Sequence, residues 1–158
     1  MTKLVIFKSK KILFVMQLTL TGEYAIRAMI HLASVNDDSV FQIAEISAAN
    51  NIPEKFLRKI IPQLASSGLI CSQRGIGGGI KLGKPALKIT PLEIIEAVEG
   101  KMALNKCLID KAFCSDERWC TVHTLWCDAQ KNLRSILSSK SIAELALENE
   151  ERKKRLHK

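Results

Sequence analysis

Residues 52–82 read IPEKFLRKIIPQLASSGLICSQRGIGGGIKL and combine a helical pattern with a glycine-rich hairpin pattern. Its first half predicts a helix that opens at Pro53, ends at Gly68 and carries apolar residues at i, i+3, i+4, i+7 spacing. These residues are Leu57, Ile60, Ile61 and Leu64. Proline inside a helix removes a backbone donor and clashes with the preceding turn, so we expect a kink or an early break at Pro62.

Two short strands are predicted after this helix, near residues 69–73 and 80–82. The segment RGIGGG, residues 74–79, joins them as a glycine-rich turn. Two earlier helices are predicted, one from about Gly22 to Ser34 and one from about Gln42 to Ala49. Three helices followed by two strands form a winged helix-turn-helix, in which the third helix enters a major groove and the turn is the wing.

The rest of the chain is predicted to be helical, which makes the fold mainly α. Thr90-Pro91-Leu92-Glu93 is a capping box with proline at the first helical position, and Gly100 ends that helix. A long helix is predicted from about Trp119 to Leu137, and a short one from Ile142 to Leu147. We expect the charged residues after it to be disordered.

These elements divide the chain into five segments. The first is expected to be a loose or artefactual extension, because Met16 offers an alternative start and the apolar run is too interrupted for a signal peptide. The segments are an N-terminal extension (1–15), a winged helix-turn-helix domain (16–100), a cysteine-bearing loop (101–118), a dimerisation helix with a short following helix (119–147) and a charged tail (148–158).

The chain has 158 residues, of which 47% are hydrophobic, and a net charge of +8. This composition excludes global disorder, and no run of about 18 apolar residues is available to span a membrane. The excess charge is concentrated in residues 53–91, where seven Lys and Arg stand against a single acid, Glu54. A concentrated basic region indicates an anionic partner, and with this fold the expected partner is double-stranded DNA.

The candidate DNA contacts lie on the third helix and on the wing. Lys55, Arg58 and Lys59 fall opposite the apolar face of the helix, where they could meet base edges and phosphates. Arg74 and Lys81 on the wing could reach phosphates or a minor groove. A solvated charged face is the alternative interpretation. A nucleotide-binding loop is disfavoured, because no Gly-Lys-Ser/Thr follows the glycines.

Four of the five cysteines lie within 21 residues, and three of them with one histidine form a complete set of four metal ligands. The set is Cys107, Cys114, Cys120 and His123, with Cys127 as a spare ligand one turn further on. The spacings exceed those of zinc knuckles, so an iron–sulfur cluster fits better than a zinc finger. Structural zinc, a metal-free thiol–disulfide switch and buried structural thiols are the alternatives.

A nucleophilic enzyme built on this set is disfavoured. Cys120 and His123 are three residues apart on one predicted helix, which leaves no evident oxyanion hole or substrate cleft. We therefore expect no enzyme activity and no small-molecule substrate.

The long helix also carries a heptad-like seam of apolar residues spaced 4-3-4-3. The seam lies away from the face of Cys120 and His123, so one helix could contact a partner and hold ligands at the same time. We expect a homodimer, and a stripe packed within the same chain is the alternative. The seam residues are Val122, Trp126, Ala129, Leu133 and Ile136.

Together these residues resemble the IscR/NsrR-type (Rrf-type) family of bacterial winged-helix regulators, from residue 16 to about residue 147. The resemblance implies a cytoplasmic, homodimeric transcription regulator with an iron–sulfur cluster near its dimerisation helix, whose state alters DNA binding. The matching segments are MQLTLTGEYAIRAM from Met16, IPEKFLRKIIPQLASSGLI from Ile52, RGIGGGIKLGKP from Arg74, CTVHTLW from Cys120 and SIAEL from Ser141.

By this resemblance the cluster cysteines fall on Cys107, Cys114 and Cys120. The fourth ligand is His123, as in iron–sulfur-biogenesis regulators, or Glu23 of the other subunit, as in nitric-oxide-sensing and redox relatives, and we favour His123. The first cysteine spacing is six residues where five is commoner, which leaves the cluster type open, with [2Fe–2S] favoured over [4Fe–4S]. The DNA contacts carry over to Lys55, Arg58, Lys59 and Arg74.

Overall fold

A computed structural model describes residues 19–36, 38–108 and 119–156. These residues form six α-helices, two short 3₁₀ turns and a two-stranded antiparallel sheet, which confirms the mainly α, winged helix-turn-helix architecture. The elements are α1 (Leu20–Ala33), α2 (Ile43–Asn50), α3 (Glu54–Ser66), β1 (Ile70–Gln73), β2 (Gly79–Leu82), a 3₁₀ turn (Ala86–Lys88), α4 (Pro91–Glu99), a second 3₁₀ turn (Lys106–Leu108), α5 (Thr121–Ser138) and α6 (Ile142–Leu156).

One hydrophobic core is formed by the four helices α1, α2, α3 and α4, the wing and the start of α6. The apolar face predicted for α3 is buried within it, and Ile142 of α6 is fully buried beside the other helices. Within the described part of the chain, no helix is both long and apolar enough to cross a bilayer. The largest fully buried side chains are Met29, Leu32, Ile46, Leu57, Ile60, Leu64, Ile70, Ile89, Ile94 and Ile142.

The two wing strands pair in the predicted place. Their register sets Ile70 opposite Leu82 and Gln73 opposite Gly79. Phe41 adds one further bridge to β2, since its N–H and carbonyl both bond to Ile80 at 2.9 Å. This bridge fixes the wing to the segment that leads into α2.

The first helix starts earlier than predicted. Its first residue is Leu20, and its N-cap is Thr19, whose hydroxyl accepts from the N–H of Gly22 at 3.4 Å. Glu99 at the end of α4 completes this cap, because its carboxylate accepts from the Thr19 hydroxyl at 2.6 Å and from the Gly22 N–H at 3.0 Å. The cap depends on a residue 80 positions away, which local sequence patterns do not reveal.

Helix α3 continues through Pro62 to Ser66, so the predicted early break is wrong. Pro62 lies on the exposed side of the helix, whereas Ile61 and Leu64 beside it are buried. A proline in a helix interior costs about 3 kcal/mol. Burying each large aliphatic side chain contributes about 1.5–3 kcal/mol, so the packed face outweighs the cost of the proline.

Helix α6 is much longer than predicted and runs to Leu156, so the expectation of disorder over residues 148–156 is wrong. Its first turns pack on the core through Ile142 and Ala146. Beyond them the helix carries acids followed three or four residues later by bases, and such pairs stabilise a helix by about 0.2–0.5 kcal/mol each. The pairs are Glu148–Arg152 (3.8 Å), Glu150–Lys153 (2.9 Å) and Glu151–Arg155 (3.6 Å).

Candidate nucleic-acid interface and cysteine-bearing helix

The basic residues predicted on the third helix form its exposed face. Lys55, Arg58 and Lys59 are exposed, and they lie opposite the buried face of α3. The guanidinium of Arg58 donates from Nε to Glu54 Oε1 at 2.8 Å. Both partners of this pair are solvent-exposed. Such a pair contributes only about 0.3–0.5 kcal/mol, so Arg58 can exchange Glu54 for a phosphate or a base at little cost.

The wing and the start of α2 lie on the same face as α3. The side-chain amide of Gln42 donates to the carbonyl of Gly78, which ties the wing to the first turn of α2. A cleft between these elements is lined by Gln42 at the N-cap of α2, Arg58 from α3, and Ser72 and Ile80 from the wing. The structure therefore places the exposed helix and the wing side by side, as a DNA interface requires.

The two basic residues predicted on the wing differ in their surroundings. Arg74 is exposed at the start of the turn. Lys81 is half-buried, and its ammonium group donates to the carboxylate of Asp38 at 3.1 Å. A phosphate contact by Lys81 would have to displace this acid, whereas Arg74 has no ion pair among the residues described.

The predicted metal ligands occupy the start of α5 and the turn that packs against it. Cys120 is the N-cap of α5, His123 lies in its first turn, and Cys107 sits half-buried in the 3₁₀ turn Lys106–Leu108. Cys114 lies outside the described residues. In the described ranges, no three Cys, His, Asp or Glu side chains converge on one point. The structure thus brings together the elements that carry three of the ligands.

A fourth cysteine lies against the predicted histidine ligand. His123 Nε2 and Cys127 Sγ are 3.5 Å apart, at i and i+4 on α5. Cys107, Cys120 and Cys127 form no disulfide, and neither does Cys71 on the wing.

The alternative ligand, Glu23, lies in the first turn of α1. It forms an i, i+4 ion pair with Arg27, and both side chains are more than 40% exposed. A partner subunit could reach Glu23, but the carboxylate would have to leave Arg27.

Polar side chains that the sequence analysis missed fasten α5 to the domain. Gln130 accepts from the N–H of Leu104 at 2.9 Å and donates to the carbonyl of Met102 at 2.7 Å. Arg134 binds the carboxylate of Glu96 on α4. The hydrogen bond from Arg134 is the main reason that the pKa of Glu96 is lowered. These contacts hold the middle of α5 against α4 and against the chain that leads to Cys107.

The residues of the dimerisation seam predicted on α5 differ in exposure. Trp126 and Leu133 are half-buried. Val122 and Ile136 are 50% and 68% exposed. Leu125, which the seam omitted, is 66% exposed. It stands three residues after Val122, and this spacing is the signal that could have included it. In the described part of the chain, an apolar stripe on α5 thus faces solvent, formed by Val122, Leu125, Ala129 and Ile136.

Comparison with known proteins decides the family. The model of the Rrf2 family, described as iron-dependent transcriptional regulator, matches residues 18–148. The chain belongs to the Rrf2 family. It is therefore a DNA-binding transcriptional regulator of winged helix-turn-helix fold, which is the non-enzymatic role predicted from its sequence.

Curated relatives of this Rrf2 protein carry the same role in their names. The transcriptional regulator IscR of Yersinia pseudotuberculosis is 35% identical over 130 residues, which are 82% of this chain and 79% of that protein. IscR of Vibrio atlanticus is 35% identical over 135 residues, which are 85% of this chain and 78% of that protein. Both are named as HTH-type transcriptional regulators.

Solved structures of the Rrf2 fold include two kinds of regulator. CymR of B. subtilis, described as the global cysteine regulator, is 27% identical with a TM-score of 0.68, and the match covers 82% of this chain and 95% of that one. An oxidized form of Staphylococcus aureus CymR is 26% identical with a TM-score of 0.63, covering 83% and 96%. IscR of T. potens has a TM-score of 0.70 at 23% identity over 87% and 90%, which shows the shared fold.

Proposed function

We propose that this protein is a homodimeric, cytoplasmic transcription regulator whose DNA binding is set by an iron–sulfur cluster at the start of α5. The observation that carries the proposal is the meeting of α5 with the turn that bears Cys107. Cys120 is the N-cap of α5, His123 lies in its first turn, and the turn that carries Cys107 contacts the same helix. The similarity to IscR proteins supports it.

The DNA-binding part of the proposal rests on α3 and the wing. Lys55, Arg58 and Lys59 lie on the exposed face of α3, and Arg74 extends this basic surface onto the wing. We assign base contacts to the α3 residues and phosphate or minor-groove contacts to Arg74. Lys81 is a weaker candidate, because Asp38 already binds it.

The dimer is proposed to form through the exposed stripe of α5. A second copy would cover Val122, Leu125, Ala129 and Ile136, which otherwise expose apolar surface to water. The half-buried Trp126 and Leu133 would lie at the edge of this contact. A two-fold axis beside α5 would set two α3 helices into successive major grooves of a palindromic site.

The donor set suits an iron–sulfur cluster, with Cys107, Cys114, Cys120 and His123 as the proposed ligands. Three thiolates and one imidazole are soft ligands for such a centre, and we favour [2Fe–2S]. When bound, the cluster would supply a reversible change of redox and ligation state. In the protein, Cys120 caps α5 and Cys107 lies on the turn against it, so both ends of the ligand loop are anchored to α5.

The path from this loop to the DNA-binding domain is proposed to run through α5 and α4. Gln130 holds the backbone of residues 102–104, which lead to Cys107. Arg134, one turn further along α5, holds Glu96 on α4. A shift of the ligand loop would therefore change how α5 sits on α4, and with it the spacing of the two α3 helices. The ligand state biases DNA binding only if it favours one of these arrangements.

The test is to isolate the full chain anaerobically, record its visible absorption and assay iron and acid-labile sulfide. We expect a brown protein that contains both elements. Cys107→Ser and Cys120→Ser should lose the colour, whereas Cys71→Ser, an exposed cysteine on the wing, should keep it. A colourless wild-type protein without iron, also after attempted reconstitution, would refute the cluster, and zinc in its place would support the structural-zinc alternative.

A metal-free thiol regulator is the second candidate, and the similarity to CymR structures, one of them in an oxidized form, favours it. The exposed thiols of Cys71 and Cys127 are available for such chemistry. This candidate predicts a colourless protein whose DNA binding changes with oxidant and recovers with dithiothreitol. Loss of that response in Cys127→Ser would support it.

A further inference from the structure

The wing presents an apolar side chain at its apex. Ile76 has a relative exposure of 110%, the highest of any large hydrophobic residue among those described. Single exposed aliphatic residues are common on protein surfaces, so exposure alone says little. The position of Ile76 is what distinguishes it, because it lies on the wing two residues after Arg74, at the proposed DNA interface.

The backbone of the turn holds Ile76 outward. The N–H of Gly78 donates to the carbonyl of Gly75 at 2.9 Å, which closes a four-residue turn with Ile76 and Gly77 at its centre. Gly77 has a φ of 76°, as the third position of a type II turn requires. A Cβ atom on residue 78 would lie 2.4 Å from the carbonyl oxygen of Gln73, so only glycine fits at this position of the turn.

The charges around the apex suit DNA. Arg74 is exposed beside it, and the wing is joined through Gln42 to the same face as the basic residues of α3. The minor groove is about 6 Å wide, which admits a narrow loop but excludes a helix about 10–12 Å across. Proteins that bind the minor groove read it with Arg, Lys, Asn or Gln and frequently insert an apolar side chain between base steps.

We propose that Ile76 is an apolar minor-groove wedge, inserted when Arg74 and α3 engage the operator. The inference rests on the proposed DNA-binding function and deepens it. It implies that each half-site prefers a deformable step, such as TA or CA, opposite the wing, because a wedge must open the groove there.

The test compares two variants of nearly the same shape, Ile76→Val and Ile76→Thr. Both keep the β-branch, so the backbone preference is unchanged, and they differ only in a methyl against a hydroxyl group. The probe is a duplex selected by the wild-type protein from a random-sequence pool. Because a dimer inserts two wings, we expect Ile76→Val to bind it roughly tenfold more weakly than wild type, and Ile76→Thr to bind it at least tenfold more weakly than Ile76→Val.

Salt dependence separates the wedge from a charge effect. Ile76→Thr should leave the slope of log affinity against log salt unchanged. Arg74→Ala should make this negative slope shallower by about 1.8, since a dimer has two wings. Netropsin, which fills the minor groove, should weaken wild-type binding more than Ile76→Thr binding. Leu156→Thr, which removes an exposed leucine at the end of α6, serves as control and should bind as wild type does.

Equal affinities of the Val and Thr variants and the wild type would overturn the wedge while leaving the proposed function intact. A circular dichroism spectrum like that of the wild type excludes misfolding as the cause of a loss. If the wild-type protein selects no sequence from the pool, the proposed function itself fails.

Discussion

Arg134 of α5 donates to both carboxylate oxygens of Glu96 on α4, across 38 positions of sequence. The same carboxylate accepts from the N–H of Met102 at 3.3 Å. Because one side chain binds two elements, Glu96 joins the cysteine-bearing helix to the DNA-binding domain. We expect this contact to contribute to both stability and regulation.

A double-mutant cycle should measure the coupling of Glu96 and Arg134. Glu96 is only 24% exposed, and two-point Arg–carboxylate contacts are stronger than ordinary surface pairs. We expect a coupling free energy of about 1 kcal/mol between Glu96→Ala and Arg134→Ala. Urea unfolding of the wild type, both single variants and the double variant gives this value. Strictly additive effects would show that the contact is not energetically specific.

The ionisation of Glu96 should make the free energy of unfolding depend on pH in the acid range. The hydrogen bond from Arg134 is the largest cause that lowers the pKa of Glu96 in the folded protein, and the Met102 N–H adds to it. Because its pKa is lower in the folded protein, ionised Glu96 stabilises the fold at pH values above its unfolded pKa, which is near 4.3. This stabilisation is lost as the pH falls through the folded pKa. Glu96→Gln should therefore flatten the dependence of unfolding free energy on pH below about 4.5. Unchanged pH profiles would contradict this assignment.

Arg58 should determine sequence preference. Its guanidinium is exposed on α3, and the pair with Glu54 is easily exchanged. Arg58→Ala should relax preference at one base pair in each half-site by about 1–3 kcal/mol. The measurement is selection of duplexes from a random pool, compared with the wild type. Lys131→Ala, an exposed lysine on α5, is the control and should select the wild-type sequence. An unchanged preference in Arg58→Ala would place the base contacts elsewhere.

Ile136 should be needed for the dimer. It is 68% exposed on the α5 stripe, and a carboxylate there would be buried in the proposed contact between two copies. Ile136→Asp should sediment as a monomer at concentrations at which the wild type is dimeric. Ser135→Asp adds the same charge one residue away, on a different face of α5, and should remain dimeric. Dimerisation of Ile136→Asp would show that another surface is used.

Much of the fold follows from local patterns in the sequence. The α3 face and the α4 start were predictable because apolar spacing and the Thr90–Glu93 capping box act over a few residues, and both are present. The continuation of α3 past Pro62 was not predictable from local patterns, because it depends on how strongly Ile61 and Leu64 pack against other elements. The length of α6 was predictable in principle from its acid-then-base spacing.

The candidate site was only partly predictable for the same reason. Cysteine spacing identifies ligands, but Gln130 and Arg134 have no local signature, since their partners lie 26 to 38 positions away. Which side of α5 faces solvent depends on how α4 packs against it. The dimerisation seam predicted from the sequence therefore included the half-buried Trp126 and omitted the exposed Leu125.

We infer that the ligand state at Cys107, Cys114, Cys120 and His123 sets DNA affinity. The most direct test is fluorescence anisotropy on one selected duplex, with anaerobic cluster-bound protein and with the same preparation after its iron is removed. The affinities are expected to differ at least fivefold, and the difference should be absent in Cys120→Ser, which should bind as the iron-free protein does. Equal affinities of the two forms of wild-type protein would contradict it.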